Sequence, residues 1–143
     1  MQHTYYKLPL NTSALISNKP VEKIQIEASI ANYLHLIMTT RFGECHFDPT
    51  FGTAVWDVDF NNIASDNKLR GILIDSLVKS LKTYEIRLSN LEFEVHIEQE
   101  EINSKGQKSK IKKGVYILVK GVIKKINENF SYKEHFYIAP LSY

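Results

Sequence analysis

The amino-acid sequence predicts an α+β domain, in which two helices pack on a three-stranded antiparallel β-meander preceded by an N-terminal arm. Apolar residues recur at helical spacing in two segments of the first half of the chain, and apolar and polar residues alternate in the second half. A run of helices followed by a run of strands is typical of this class. The 143 residues fit one domain, which we predict to span 1–143.

The first half of the chain predicts the arm and both helices. Residues 1–23 show no clear periodicity, and we expect them to dock on the body as an extended arm. Apolar residues at helical spacing predict a first helix over about 26–40, buried over much of its surface, with Gly43 placed to end it. A continuous apolar stripe predicts a second helix over about 66–83, with Ser65 as its N-cap.

The second half predicts three strands joined by two turns. Alternation over 93–97 indicates a half-exposed strand, and apolar residues on both faces of 115–126 indicate a central strand. A third, aromatic-rich strand is predicted over 130–138, after a turn at 127–129. Between the first two strands, 99–114 is predicted to be a flexible hairpin loop.

Composition restricts the possible classes of function. Hydrophobic residues make up 43% of the chain and charged residues 24%, as in an ordinary folded domain. The net charge of +2 indicates no general attraction to nucleic acid. No apolar run approaches the roughly 20 residues that span a bilayer, so we expect no direct membrane insertion. The start of the chain lacks the pattern of a signal peptide, and the single cysteine excludes an internal disulfide, which together predict a cytoplasmic protein.

Catalytic side chains are not indicated by the residue pattern. Cys45 and His46 are adjacent, which is poor spacing for a metal site or for a nucleophile and its base. Asp57, Asp59 and Glu85 are acids set among large apolar residues, but nothing in the sequence shows that two of them face each other across a cleft. We therefore predict no catalytic residue, no metal and no cofactor.

A basic segment lies at 105–113, where five of nine residues are lysine. Such a run is either a phosphate-contacting loop or a solvated hairpin loop. No aromatic residue is interleaved with the lysines, and the preceding strand is rich in glutamate, so the solvated loop is favoured.

Two short motifs are more specific than composition. The first begins in the first helix with Thr-Thr-Arg-Phe-Gly and continues, after a short spacer, with Phe-Asp-Pro-Thr-Phe-Gly. Its motif residues are Thr40, Arg41, Gly43, Phe47, Asp48, Pro49, Phe51 and Gly52. The second motif is Tyr84-Glu85-Ile86-Arg87. Together they resemble the baseplate wedge family of contractile-tailed phages, the gene twenty-five-like lysozyme family, which includes TssE of type VI secretion systems.

The first motif is predicted to be structural and the second to bind a partner. Asp48-Pro49 and Gly52 would fix a turn that holds Phe47 and Phe51. The family typically has Glu-Pro-Arg at the second motif, where Ile86 replaces the proline. Glu85 and Arg87 lie two apart on an extended segment and would point the same way, either as a local salt bridge or as a charged contact surface. The resemblance favours a contact surface formed by Tyr84, Glu85 and Arg87.

The resemblance implies a structural component of a contractile injection machine. Its partners would be sheath subunits and TssF/TssG-like wedge subunits, and an incoming sheath arm would add a strand at 93–97 or at 130–138. The tyrosine-rich start looks like that of secretion-system members, which implies a baseplate docked at the inner membrane; a phage-derived protein would belong to the virion. Two alternatives stay open: a peptidoglycan-cleaving enzyme, as the family name suggests, and a regulatory anti-adaptor, since one such protein has a similar fold.

Overall fold

The computed structural model of this chain describes residues 5–20, 23–56, 66–102 and 110–141. Ser65, Asp57, Asp59 and residues 105–109 of the basic segment lie outside the described residues. In chain order the elements are β1 (Tyr5–Tyr6), α1 (Thr12–Ile16), β2 (Lys23–Ile24), α2 (Ile26–Thr39), a 3-10 turn (Ala54–Trp56), α3 (Asp66–Tyr84), β3 (Leu88–Ile102), β4 (Lys110–Ile123) and β5 (Glu128–Leu141).

β3, β4 and β5 form one antiparallel sheet in that order, with β4 at its centre. The predicted α+β class and three-stranded meander are confirmed. Cross-strand pairs such as Val95 opposite Ile117 and Ile117 opposite Glu134 define the register. Because side chains alternate across a strand, Val115, Ile117 and Val119 share one face of the sheet, and that face is buried.

The two long helices supply the rest of the core. The side chains that they bury are Ile30, Leu34, Ile37 and Met38 in α2 and Leu69, Leu73, Leu77 and Leu81 in α3. Residues three or four apart lie on one face of a helix, so each helix presents a continuous apolar stripe to the sheet. The helices predicted over 26–40 and 66–83 both form, each ending within one residue of the predicted position.

The N-terminal arm is more regular than the predicted extended segment. β1 pairs antiparallel with β2, which places Tyr5 opposite Ile24. Between these strands, the side chain of Asn11 accepts a hydrogen bond from the Ala14 N–H at 3.1 Å and caps α1. A five-residue helix is too short to show periodicity, which is why the sequence pattern did not predict it.

The predicted hairpin loop over 99–114 is wrong at both ends, because the paired strands extend into it. β3 continues to residue 102 and β4 begins at residue 110, with Gln99 opposite Lys113 and Glu100 opposite Lys112. Backbone pairing requires no apolar alternation, so the sequence pattern did not mark these ends of the strands. The following turn also lies earlier than predicted, at 124–127, where Asn127 has a φ of 52°.

Candidate functional site

The loop over residues 41–53, here called the motif loop, follows α2 and closes on itself. Thr40 leaves the helix in an extended conformation, and its carbonyl accepts a hydrogen bond from the Thr53 N–H at 3.0 Å. Arg41 forms an isolated parallel bridge with Thr53. Within the loop, Gly43 has a φ of 81° and donates its N–H to the Pro49 carbonyl at 2.9 Å.

The expectation that Gly43 ends the helix is wrong. α2 ends at Thr39, and the Thr40 hydroxyl donates back to the Leu36 carbonyl at 2.6 Å. The Thr39 hydroxyl makes a similar bond to the carbonyl of His35 at 2.7 Å. Threonine hydroxyls often bond back to carbonyls of the preceding turn in this way, and the extended conformation of Thr40 takes the chain out of the helix before the glycine.

Gly52 closes the motif loop where no side chain fits. Its φ is 118°, and an added Cβ would lie 2.4 Å from the Thr40 carbonyl oxygen. The Gly52 carbonyl accepts a hydrogen bond from the buried Ser80 hydroxyl, which ties the loop to α3. Glycine is therefore required here by both backbone conformation and space.

Asp48 organises the turn at the centre of the motif loop. Its Oδ1 accepts hydrogen bonds from the N–H and the hydroxyl of Thr50, at 3.1 and 2.6 Å. Its Oδ2 accepts a hydrogen bond from the Tyr84 hydroxyl at 2.7 Å. The hydrogen bonds from Thr50 and then from Tyr84 favour the ionised carboxylate and lower the pKa of Asp48.

The two phenylalanines of the first motif differ in their surroundings. Phe51 packs edge-on to Tyr84, with ring centroids 4.9 Å apart, and lies 6.1 Å from the ring of Tyr33. Phe47 is fully exposed, at 101% of its reference surface. The prediction that the turn holds both rings is thus wrong for Phe47, because the Asp48 side chain faces Tyr84 while the preceding residue projects into solvent.

Glu85 and Arg87 form a bidentate ion pair at the end of α3. Arg87 Nη2 donates to Glu85 Oε2 at 2.7 Å, and Arg87 Nε donates to Glu85 Oε1 at 2.8 Å. The Glu85 side chain is 1% exposed and that of Arg87 is 24% exposed. The two side chains do point the same way, but the expectation of an open charged surface is wrong for Glu85, which lies beneath Arg87 and the chain around it.

Aromatic rings and a hydroxyl complete the surroundings of Arg87. Its guanidinium carbon lies 5.4 Å from the ring centroid of Tyr5 and 5.9 Å from that of Tyr33, both within cation–π range. Arg87 Nη1 donates to the Ser29 hydroxyl at 2.9 Å. Hydrogen bonding to Glu85 raises the pKa of Arg87, and burial raises the pKa of Tyr33. The ion pair therefore joins β1, α2 and the end of α3.

The structure divides the predicted partner-binding trio. Tyr84 faces the motif loop, whereas Glu85 and Arg87 face α2, and Tyr33 contacts both groups. Ile86, between them, is 71% exposed. Neither Tyr33 nor Ser29 was singled out from the sequence; their four-residue separation on α2, which puts them on one helix face, was the available signal.

The acidic groups of the two motifs are engaged by neighbouring side chains. Glu85 is neutralised by Arg87, and both Asp48 oxygens accept hydrogen bonds from side chains of the same turn and α3. Within the described residues, no three His, Cys, Asp or Glu side chains converge as a metal site would require. The half-buried thiol of Cys45 is the sole cysteine of the chain.

The fold and this site define a small α+β protein in which a closed loop is bonded to α3, and an ion pair with a buried glutamate links the end of α3 to α2 and β1. The family model described as baseplate wedge protein gp25 matches residues 24–127, so the chain belongs to that family. Membership supports a structural role in a phage tail-like baseplate and contacts with other baseplate components.

A solved structure and two negative results complete the comparison. The crystal structure of a protein described as a tail lysozyme, from Geobacter sulfurreducens, superposes with a TM-score of 0.60. The two sequences are 18% identical, and the match covers 86% of this chain and 100% of that one, which shows a shared fold. A search of curated proteins gives no match. In the described part of the chain, no helix is long and apolar enough to cross a membrane.

Proposed function

We propose that this protein joins wedge subunits to the first sheath ring of a contractile injection machine and thereby initiates sheath assembly. Membership in the baseplate wedge family is the observation that supports this proposal. The machine is a type VI secretion system, in which the chain acts as the TssE-like subunit in the cytoplasm, on a baseplate docked at the inner membrane. A phage tail is the alternative setting, and there the protein belongs to the virion.

Strand addition is the proposed mechanism of sheath binding. β3 and β5 are the edge strands of the sheet, and an edge offers backbone N–H and carbonyl groups to an incoming chain. β3 carries exposed Glu92, Glu94 and Glu98, whereas the exposed side chains of β5 include Ser131 and Lys133. An extended arm of a sheath subunit would pair with one of these edges.

The contact with a wedge subunit is proposed at the second motif. Its exposed residues would touch the partner, and its covered residues would hold them in place. Exposed Ile86 and the outward atoms of Arg87 would meet a TssF/TssG-like wedge subunit. Glu85 would act through Arg87, because it holds the guanidinium by two hydrogen bonds and is itself covered. Tyr84 would support this surface indirectly, through Asp48 and Phe51.

Binding and hydrogen exchange on purified proteins test the proposal. The chain is mixed with cognate sheath and wedge proteins, and the complex is isolated by size-exclusion chromatography. We expect a complex with each, and slower backbone amide exchange along either β3 or β5 when the sheath protein is present. Absence of any association would contradict the proposed function, and association without protection of either edge would contradict strand addition.

Peptidoglycan cleavage is the competing function, since the Geobacter sulfurreducens structure is described as a tail lysozyme. We propose that this chain is not an enzyme, because Glu85 is buried and paired with Arg87 instead of facing a cleft. A muramidase assay is expected to show no activity in the parent or in Glu85→Gln. Activity in the parent that Glu85→Gln abolishes would support the enzyme instead.

A further inference from the structure

The sheet has an outer face, on the side opposite the core. Because Val115, Ile117 and Val119 point into the molecule, the residues that alternate with them point outwards. The strand register arranges the outer face in four rows across β3, β4 and β5, which are Glu98–Gly114–Tyr137, His96–Tyr116–His135, Glu94–Leu118–Lys133 and Glu92–Lys120–Ser131. Every member of these rows on β3 and β5 is exposed, so the outer face is open to a partner.

Aromatic rings form a ridge across the outer face. The rings of Tyr116 and His135 are stacked, with centroids 4.1 Å apart and planes inclined by 6°, and Tyr137 meets His135 edge-on at 4.7 Å. Tyr116, Leu118 and His135 line one groove of about 590 Å³ together with Glu94, His96, Glu98 and Lys133. Because the rings hold one another in place, they lose little conformational entropy when a partner covers them.

Charge divides the outer face along its length. The outward row of β3 carries the carboxylates of Glu92, Glu94 and Glu98 and no lysine or arginine, whereas the outward row of β5 carries Lys133 and no acid. Glu94 accepts a hydrogen bond from the Lys120 ammonium at 3.0 Å. Within the described ranges of the chain, neither Glu98 nor Lys133 takes part in an ion pair. The outer face therefore has an acidic side and a basic side.

A second copy of this chain supplies the complement of each side. Two sheets pack face to face about 10 Å apart, and an interface between identical chains is formed by the same patch on both. A two-fold axis parallel to β4 lays β3 of each copy over β5 of the other, which brings Glu94 opposite Lys133 twice. A two-fold axis across the strands would instead lay glutamates over glutamates, which repel each other. Charge thus selects the axis parallel to β4.

We propose that the outer face is a self-complementary docking surface, on which two copies of this chain pair around a two-fold axis parallel to β4. Tyr116 and Leu118 of the two copies meet at that axis, and two Glu94–Lys133 ion pairs flank them. The contact uses the face of the sheet and leaves both of its edges free, and it does not depend on the proposed function. An interface three strands wide is at the small end for specific contacts, so we expect a weak dimer that forms as the concentration rises.

Charge exchange between β3 and β5 tests this arrangement by sedimentation equilibrium of the full chain over a concentration series. In a homodimer, Glu94→Lys or Lys133→Glu places like charges opposite each other twice, so we expect each variant to raise the dissociation constant about tenfold or more. An equimolar mixture of the two variants restores both ion pairs in the heterodimer and should associate as the parent does. Glu27→Lys in α2 and Lys82→Glu in α3 make the same charge changes at exposed positions on the helices, away from the outer face, and should stay within about twofold of the parent.

Three outcomes would overturn the proposal. A parent that stays monomeric at every concentration would show that the outer face does not bind a second copy. A parent dimer that neither charge variant weakens would place the contact at another surface, such as a sheet edge. A mixture of the two variants that fails to re-form the dimer would rule out the axis parallel to β4. The proposed function is decided separately, by association with sheath and wedge proteins.

Discussion

At the scale of single residues, the Glu85–Arg87 pair shows why burial decides the strength of an ion pair. Removing one partner from a covered pair leaves an uncompensated charge and costs about 3–5 kcal/mol. We therefore expect Arg87→Ala to lower the free energy of unfolding by about that amount, as measured by urea denaturation. The control is the exposed pair of Lys120 Nζ and Glu94 Oε1, 3.0 Å apart, where Lys120→Ala should cost less than about 1 kcal/mol. Equal costs for both variants would contradict the proposed role of burial.

Gly52 gives a second prediction at this scale. An alanine there combines an unfavourable φ of 118° with a Cβ 2.4 Å from the Thr40 carbonyl oxygen. We expect Gly52→Ala to destabilise the fold by about 3 kcal/mol or more, because backbone strain alone costs about 1–3 kcal/mol. At Gly43 the φ is 81° but no atom lies within 4 Å of an added Cβ, so Gly43→Ala should cost only about 1–2 kcal/mol. Chemical denaturation of both variants compares the two costs, and a smaller loss at Gly52 would refute this account.

At the scale of elements, periodicity determined what the sequence revealed. α2 and α3 were predicted almost to their ends, since each buries a stripe of side chains three or four residues apart. α1, β1 and β2 are held by a cap and by two cross-strand pairs, which leave no repeating pattern. The predicted hairpin between β3 and β4 was too short, because its outer end is paired through backbone groups and shows no apolar alternation.

β1 is expected to stabilise the body through one of its two tyrosines. Tyr5 lies over the guanidinium of Arg87, whereas neighbouring Tyr6 is 58% exposed. A cation–π contact at a partly buried position contributes about 0.5–2 kcal/mol, so Tyr5→Ala should lower the free energy of unfolding by about that amount. Tyr6→Ala removes the same side chain from the adjacent residue and should change it by less than about 0.5 kcal/mol. Urea denaturation of the two variants decides whether the arm docks through Tyr5.

At the scale of the whole molecule, the residues of the candidate site could be predicted from the sequence, but their burial and contacts could not. The motif residues were recognised from their order in the chain, yet their burial depends on contacts between distant segments. Glu85 is covered because Arg87 folds over it between Tyr5 and Tyr33, which lie far apart in sequence. Phe47 is exposed because Asp48 turns towards Tyr84. Neither outcome follows from spacing within a motif.

The single tryptophan of the chain reports on whether the molecule unfolds as one unit. Trp56 Nε1 donates to the Met38 carbonyl at 3.0 Å, and its ring lies 5.3 Å from that of Phe136, so its fluorescence senses both α2 and β5. Since α2, α3 and the sheet share one buried cluster, we expect the urea transitions of Trp56 fluorescence and far-ultraviolet circular dichroism to coincide. Leu77→Ala should shift both by the same free energy, about 2–5 kcal/mol, whereas Leu36→Ala, at a 42% exposed position, should shift them much less. A fluorescence change that precedes the loss of secondary structure would show instead that the contact between α2 and β5 opens before the rest of the fold.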